Sequence, residues 1–496
     1  MLVPRARRRP LPLLFLTLLA GCGIGDIPIP TPAEAPLDWR SGTAANSSWP
    51  TDNWWRGFGS ADLDQLISQA QTSNQTIAGS IARIRQADAQ LRIAGAPLLP
   101  QLQANANGSW QQIQRSSSAA FRSSGGQPYA DVHSYSTGLS ASYELDIWGR
   151  VQAQRQAALE NARFSRFDGE TVALSVVTSV ANTWFTALAF QDRLDVATHN
   201  LADAEQTLAA IRGRLAVGTV SELDVSQQET LVAQERANVP GLRNQLEQTV
   251  NGLGVLTGQP PEAITVRPGT LTALSLPEIS PGLPVEVLAR RPDVAAAEAL
   301  LAGAGANVVA ARAAMFPAIQ LSVSGSYQST ALTTLFGPGA MVASLAGGLI
   351  QPIFDGGTLR GGLEQARGRQ EELLASYRQA VLQAFTDVEN ALVAWRYTTE
   401  QEALQAQAVI SAQRSATIAR AQMAAGTIDI ITALVSQTNL YNAEDVLAQV
   451  RLSRFQALVS LYKALGGGWQ GQIEAPKLRP GSITGGVALP IGSNLR

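Results

Sequence analysis

Few residues in this chain are of types that do chemistry, and their spacing narrows the choice further. His133 and His199 are the only histidines and Cys22 is the only cysteine. The two histidines are far apart, one in a heptad-patterned helix and one in a connection between strands, and neither has a partner at metal-ligand spacing. No metal site is expected. Gly303-Ala304-Gly305 lies inside a helical run with no strand before it, so it is not a dinucleotide loop. Gly356-Gly357 with Gly361-Gly362 lacks the Lys and Ser/Thr of a phosphate loop. No nucleophile stands beside a base, and the chain is not expected to be an enzyme. What remains is a set of carboxylates and hydroxyls after two matching glycines: Ser221, Glu222 and Asp224 after Gly218, and Asp429 and Thr432 after Gly426. Ser221 and Asp429 suit a helix N-cap, and Glu222 and Asp224 suit the positive end of a helix dipole.

The elements that must position those residues are two copies of one design. Ala216-Val217-Gly218-Thr219-Val220-Ser221 repeats as Ala424-Ala425-Gly426-Thr427-Ile428-Asp429, an offset of 208 residues. The same offset relates Trp148-Gly149 to Gly356-Gly357, Leu253 to Leu461 and Gly258 to Gly466, which marks an internal duplication. Upstream the offset becomes 217, relating Pro100 to Pro317, so the first copy is nine residues longer between Pro100 and Trp148. Each glycine follows a long helical pattern and precedes a cap, the signature of a helical hairpin tip. The limb from Gly149 to Ala216 carries a heptad row at Ala173, Val180, Ala187, Leu194, Leu201, Leu208 and Leu215. Adding 208 gives Val381, Val388, Trp395, Glu402, Val409, Ala416 and Met423, of which only Glu402 is polar. A strict seven-residue period predicts left-handed supercoiling, over a limb roughly 100 Å long. The descending limbs are Ser221 to Leu256 and Asp429 to Leu465, with a break or kink expected at Pro240 in the first alone.

From Gln101 the period changes to two. Gln101, Gln103, Asn105, Asn107 and Ser109 alternate with Leu102, Ala104, Ala106, Gly108 and Trp110. On the return, Tyr135, Thr137, Leu139, Ala141, Tyr143 and Leu145 alternate with small polar residues. The second copy repeats this with Ile319, Leu321, Val323 and Tyr327 against Gln320, Ser322, Ser324 and Ser326, then a fainter strand from Met341 to Ile350. Strands of about 10 residues, apolar on one face with aromatics near the ends, fit a transmembrane β-barrel, and a half-buried soluble sheet is the alternative. The Gln, Asn and Ser face suits a wet lumen. Four strands cannot close alone, because an open sheet edge in lipid leaves backbone groups unsatisfied. Two copies would give eight strands and a filled interior, three would give twelve and a channel.

The rest of the chain fits export. Arg5, Arg7, Arg8 and Arg9 precede the apolar run Leu11 to Leu19 and the small residues Ala20-Gly21 before Cys22, the layout of a signal peptide. The Leu19-Ala20-Gly21-Cys22 run resembles the bacterial lipobox, which implies that Cys22 becomes the first mature residue and carries diacylglycerol and an N-acyl chain, with no other cofactor. Gly23 rather than Asp, by resemblance to lipoprotein sorting signals, favours the outer membrane. Removing residues 1 to 21 moves the formal charge from −2 to −6, which excludes a nucleic-acid binder. After the signal no uninterrupted apolar run is long enough for a transmembrane helix. The chain divides into the signal peptide 1–21, a tether and aromatic segment 22–61, a first repeat 62–257, a linker 258–284, a second repeat 285–466 and a tail 467–496. Within these, Asp62 to Ala94 reads as a helical stretch with Val285 to Ala314 as its counterpart, and the Trp49 to Phe58 cluster as a packing plug or a ligand platform.

Three runs carry a family resemblance: Trp54-Trp55-Arg56-Gly57-Phe58-Gly59 with Leu63-Asp64-Gln65-Leu66-Ile67, Glu144-Leu145-Asp146-Ile147-Trp148-Gly149-Arg150, and Leu288-Ala289-Arg290-Arg291-Pro292-Asp293-Val294. They resemble the outer membrane factor family related to TolC, in its lipoprotein branch serving resistance-nodulation-division efflux pumps. That resemblance covers the mature chain and implies a mostly α fold with a β-barrel portion. In it a homotrimer shares one 12-stranded barrel, continued by a helical coiled-coil tunnel with a mixed equatorial region. It implies a passive exit duct for drugs or small solutes in the outer membrane of a Gram-negative bacterium. The partners it implies are outer-membrane lipid, an inner-membrane resistance-nodulation-division transporter and a periplasmic adaptor (membrane fusion) protein, the adaptor meeting the tips at Gly218, Thr219, Gly426 and Thr427. In the family, inward-facing residues just after the tip glycine constrict the channel, often as an Asp ring; the candidates here are Glu222, Asp224, Asp429 and Thr432. Val435 stands where close relatives carry Asp, a departure from the family pattern. The alternatives are a type I protein secretion channel and, in a different class, a non-conducting periplasmic coiled-coil lipoprotein.

Overall fold

The computed structural model describes residues 38–40, 49–114, 129–277, 282 and 284–470. The signal peptide, Cys22 and the tail after Gln470 lie outside the described residues.

The first compact unit holds Ala89–Glu160 and Leu301–Leu374 and contains a four-stranded antiparallel sheet in the order β1-β2-β3-β4. These strands are β1 (Gln101–Gln114), β2 (Tyr129–Leu145), β3 (Ala318–Ser329) and β4 (Met341–Ile350). Register puts Leu102, Ala104 and Trp110 of β1, Tyr135, Leu139, Ala141 and Tyr143 of β2, and Leu321, Val323 and Tyr327 of β3 on one face. Gln103, Asn105 and Asn107, Ser136 and Ser140, and Ser322, Ser324 and Ser326 line the other. The expected alternation therefore holds, and the faint fourth strand falls where expected. The first hairpin is longer than expected, and His133 lies inside β2 rather than in a connection, because pairing with β1 continues past the end of β3.

Each strand pair turns into a long helix through the same device. Gly149 takes a left-handed backbone, and Asp146 accepts the amides of Val151 and Gln152 at 3.0 and 2.8 Å, capping α3 (Arg150–Ala216). Asp355 does the same for α7 (Thr358–Ala424), accepting the amides of Gly357 and Leu359 at 2.9 and 2.8 Å. Arg150 holds Glu144 with both oxygens at 2.7 and 2.8 Å, a two-point bond that fixes the strand against the helix start. Trp148 donates to the Pro317 carbonyl at 2.8 Å and stacks on Phe316.

The second unit holds Pro32–Asp88, Asn161–Leu300 and Ala375–Arg496. Each expected helical stretch is made of two helices: α1 (Ala61–Ser73) and α2 (Gln75–Gly95), then α5 (Pro284–Leu288) and α6 (Pro292–Ala313). The breaks fall at Asn74 and Arg291, which are equivalent in the 217-residue register. Asn74 accepts the Thr76 and Ile77 amides as an N-cap, and its own amide donates to the Leu256 carbonyl at 2.7 Å. Arg291 reaches the Ala464 carbonyl at 3.3 Å, and Ala464 is the 208-register equivalent of Leu256. Those carbonyls lie at the ends of the two return helices, α4 (Glu222–Thr257) and α8 (Ile430–Ala464). Gly258 and Gly466 follow, both left-handed, and a Cβ on either would run into the carbonyl oxygen of Ser73 or Arg290 respectively. Each return helix thus ends clamped on the break of a short helix, once per copy.

All fourteen positions of the two heptad rows are buried or half-buried. The polar exception, Glu402, accepts from Arg451 at 3.0 Å and Arg454 at 2.9 Å. Trp54, Trp55 and Phe58 are buried with Phe185, Phe455 and Tyr462, so the aromatic cluster is a packing plug. Pro240 does not break α4. It sits on an exposed face, where the Arg236 carbonyl that loses its helical bond can be hydrated. The α3 and α6 helices each contain a window apolar enough to cross a membrane, but 56% of that window is buried inside the fold. They are core helices.

Arg291 is also the hub of an ion network. It donates to Asp293 at 2.6 Å and Asp387 at 2.8 Å with little side-chain exposure. Burial alone would raise the Asp293 pKa, but the hydrogen bonds and charge of Arg291 hold it below the usual carboxylate range. Replacing Arg291 with Met should destabilise by about 3 kcal/mol, the low end for a broken buried pair because both carboxylates keep some solvent. Asp293 titrates lower in the folded state than unfolded. Its pairing therefore contributes fully above the unfolded carboxylate range and is lost as pH falls through the folded value. Thermal melts of the detergent-solubilised protein should show an acid-labile component that Arg291→Met lacks; equal loss of stability on acidification in both proteins would refute this.

Candidate gating site at the helix tips

Both tips are built from backbone geometry that the sequence dictates. Gly218 and Gly426 sit at φ of 72° and 74°, a region that costs other residues energy. Their amides return to the Leu215 and Met423 carbonyls at 2.8 and 3.0 Å, and those of Thr219 and Thr427 to Arg214 and Gln422 at 3.0 and 2.9 Å. This pair of bonds closes each helix end. The Thr219 and Thr427 hydroxyls donate to the same Arg214 and Gln422 carbonyls, which explains the Gly-Thr pair in both copies.

The helices after the tips start from two different caps. Ser221 forms a full capping box with Asp224: its hydroxyl accepts the Asp224 amide, and the Asp224 carboxylate accepts the Ser221 amide at 2.7 Å and hydroxyl at 2.8 Å. Asp429 accepts the Thr432 amide at 2.7 Å. The Thr432 side chain and amide hold the Asp429 carboxyl below its ordinary pKa, so it stays ionised at neutral pH. Glu222 is exposed. The candidate residues therefore all sit in first turns after the tips, and Asp224 and Asp429 both serve as caps.

Three cross-helix contacts at and below the tips involve residues the sequence patterns do not single out. Arg214 donates to the Met423 carbonyl at 2.7 Å, tying the C-terminal end of α3 to that of α7. Arg420 pairs with Asp203 at 3.1 Å, and Arg193 with Asp445 at 2.6 Å. Arginine at a helix C-terminus also meets the negative end of the dipole. A signal existed for one of them, since Arg212 and Arg420 occupy equivalent positions in the 208 register. The tip surface also exposes Val217 and Leu223, and a shallow groove between α4 and α8 exposes Ile431 and Val435 beside Gln234 and Thr438. Among the described residues no group of His, Cys, Asp and Glu is arranged to hold a metal ion.

With this geometry in hand, similarity to known proteins is informative. The family model described as outer membrane efflux protein matches residues 66–259 and 283–467. The pyoverdine export outer membrane protein OpmQ of Pseudomonas aeruginosa is 41% identical over 456 residues, 91% of this chain and 95% of that protein. Among solved structures, the open state of the Neisseria gonorrhoeae MtrE outer membrane channel is 31% identical, with a TM-score of 0.79 over 89% of this chain and 98% of that one. The outer-membrane channel OprN is 26% identical, with a TM-score of 0.83 over 90% of this chain and 99% of that one.

The tip geometry separates two kinds of substitution. Ser221→Ala should cost about 1 kcal/mol through the lost cap. Arg214→Met, which keeps the aliphatic stem but releases the α7 carbonyl, should leave the melting temperature nearly unchanged. It should raise amide hydrogen exchange at residues 423–427 several-fold. Unchanged exchange there would show that Arg214 does not couple the two tips.

Proposed function

The chain belongs to the outer membrane efflux protein family, and we propose that three copies of it share one barrel and form the exit duct of a tripartite efflux pump. It is an outer-membrane efflux channel of a Gram-negative bacterium, with a periplasmic helical tunnel. One observation carries the trimeric reading. The sheet has an apolar face bordered by Trp110, Tyr135 and Tyr327 at one end and Tyr143 at the other, yet β1 and β4 each have one unpaired edge. From Tyr143 to Tyr135 the strand covers about 26 Å, the height of an outer-membrane barrel's apolar band. Free edges at that depth are not tolerated in lipid, so sister chains must supply the missing partners. Four strands from each of three chains leave room for a channel, whereas two chains would leave a filled interior.

The α7 helix supports the same conclusion. Tyr397, Leu404 and Ile418 fall on one heptad row, two positions after the buried row and so on nearly the opposite side of the helix. Their exposures are 56%, 59% and 50%. A helix with two apolar stripes is made to be sandwiched between two neighbours.

In this duct, solutes handed over by an inner-membrane resistance-nodulation-division transporter leave through the lumen. The tips at Gly218, Thr219, Gly426 and Thr427 meet a periplasmic adaptor, and the exposed Val217 and Leu223 offer it apolar surface. Threefold repetition turns Glu222, Asp224 and Asp429 with Thr432 into rings of carboxylate and hydroxyl that favour cations. Cys22 carries the lipid that holds the chain at the outer membrane.

Two measurements test this. The detergent-solubilised assembly should have the mass of three chains and conduct in a planar bilayer, and Leu404→Asp should shift it to monomer. A monomeric, non-conducting wild type would overturn the trimeric duct. In conducting trimers, Asp429→Asn retains the cap but removes the charge, and should lower cation preference as read by the reversal potential. An unchanged reversal potential in both Asp429→Asn and Glu222→Gln would assign Asp429 to capping and Glu222 to the helix dipole alone.

A further inference from the structure

The faces of the β1–β2 hairpin exchange character at its outer end. Up to Trp110 and Tyr135, the membrane-side face is apolar and the lumen-side face is Gln, Asn and Ser. At and beyond that border the membrane-side positions are His133 opposite Trp110, then Gln112 opposite Asp131, which bond at 3.4 Å, then Gln114 opposite Tyr129. On the lumen side, beyond the Ser109–Ser134 pair, come Val132 opposite Gln111 and then Ile113 opposite Ala130, and Val132 and Ile113 remain substantially exposed, at 39% and 50%. This stretch has no third strand, because β3 pairs with β2 only as far as Tyr135. It lies in the span between Pro100 and Trp148 where the first copy is nine residues longer than the second. Lipid cannot be what covers Val132 and Ile113, since they lie past the aromatic border and on the opposite face from the lipid-facing residues.

We propose that Val132 and Ile113 of the three chains face one another above the barrel mouth and meet as an apolar collar, so that the partner of this face is a second copy of the chain. This rests on the trimeric reading. The β1 strand is an edge strand, so the shared β1–β4 junctions bring each ribbon's inner face toward the common axis. An inner face that carries Val132 and Ile113 beside the single polar Gln111, with an outer face that is polar except for Tyr129, is then the arrangement that a self-contact in water requires. The collar narrows the outer end of the duct independently of the tips. Weak apolar contact between three short ribbons allows it to part when solute arrives.

The test is cysteine cross-linking of the full-length lipoprotein, whose only native cysteine is Cys22. Val132→Cys and Asp131→Cys lie next to each other on opposite faces of one strand, and a short-arm bismaleimide is applied to the purified assembly. The collar predicts that Val132→Cys yields covalent dimers several-fold above both Asp131→Cys and wild type. An assembly with the mass of three chains in which Val132→Cys gives no excess over Asp131→Cys overturns the collar and leaves the trimer standing. An assembly with the mass of one chain removes the trimeric reading and the collar together.

Discussion

The constraint on which everything else depends is the accounting of backbone hydrogen bonds at a sheet edge. Inside a bilayer an amide or carbonyl without a partner costs several kcal/mol, so a sheet of four strands cannot stand alone there. Here the constraint meets a sheet with two free edges and one face apolar over the depth of an outer membrane. Association is therefore a condition for that face to enter lipid at all. The helices inherit the arrangement, because Asp146 and Asp355 cap α3 and α7 directly off the strand ends and fix where each helix begins.

Within the second unit, stability comes from helix packing and from one clamp used twice. Asn74 and Arg291 interrupt equivalent helices and bind equivalent carbonyls, and Gly258 and Gly466 bring the chain close enough for that contact. The chemical difference between the two clamps is informative. An amide can satisfy itself with one cap and one carbonyl. A guanidinium has donors to spare, so the second copy surrounds it with Asp293 and Asp387 and with the carbonyls of Ala384 and Ala464. The Arg-Arg-Pro-Asp-Val run is thus legible as a folding element: Arg291 is the hub, Pro292 restarts the helix, and Asp293 neutralises the charge while accepting the Val294 amide.

The fold was readable from the sequence wherever periodicity or duplication spoke. The heptad rows, the alternating strands and the Gly-Thr tips all fall where their patterns place them. Two features were not readable from periodicity. The break at Asn74 is hidden because apolar spacing continues on both sides of it, and only the partner carbonyl of Leu256, 182 residues away, makes the interruption favourable. Pro240 signals a break that does not occur, because an exposed carbonyl finds water. At the tips, the caps were legible from Ser221 and Asp429, but Arg214 and its bond to the Met423 carbonyl were not. A long-range contact from a side chain to a backbone carbonyl leaves no trace in residue type.

Duplication also explains why the two tips of one chain need not behave alike. Three chains with two hairpins each would give six similar hairpins if the copies were identical. They differ at the positions that α7 turns outward: where α7 exposes Tyr397, Leu404, Ile410 and Ile418, the equivalent positions of α3 carry Ala189, which is buried, Val196, which is half-buried, and the exposed Ala202 and Ala210. One long helix is built to receive a neighbour and the other presents smaller side chains. Arg214 stands where the second copy has Gln422, so the bond between tips runs in one direction, from α3 to the end of α7. The cap after the first tip is locked by reciprocal Ser221 and Asp224 bonds, whereas Asp429 bonds to Thr432 alone and keeps a carboxylate oxygen toward solvent. In the proposed trimer these differences divide six similar hairpins into three whose cap is reciprocally locked and three whose cap rests on one residue, and each set brings its own carboxylates to the tips, Glu222 with Asp224 in the first and Asp429 in the second.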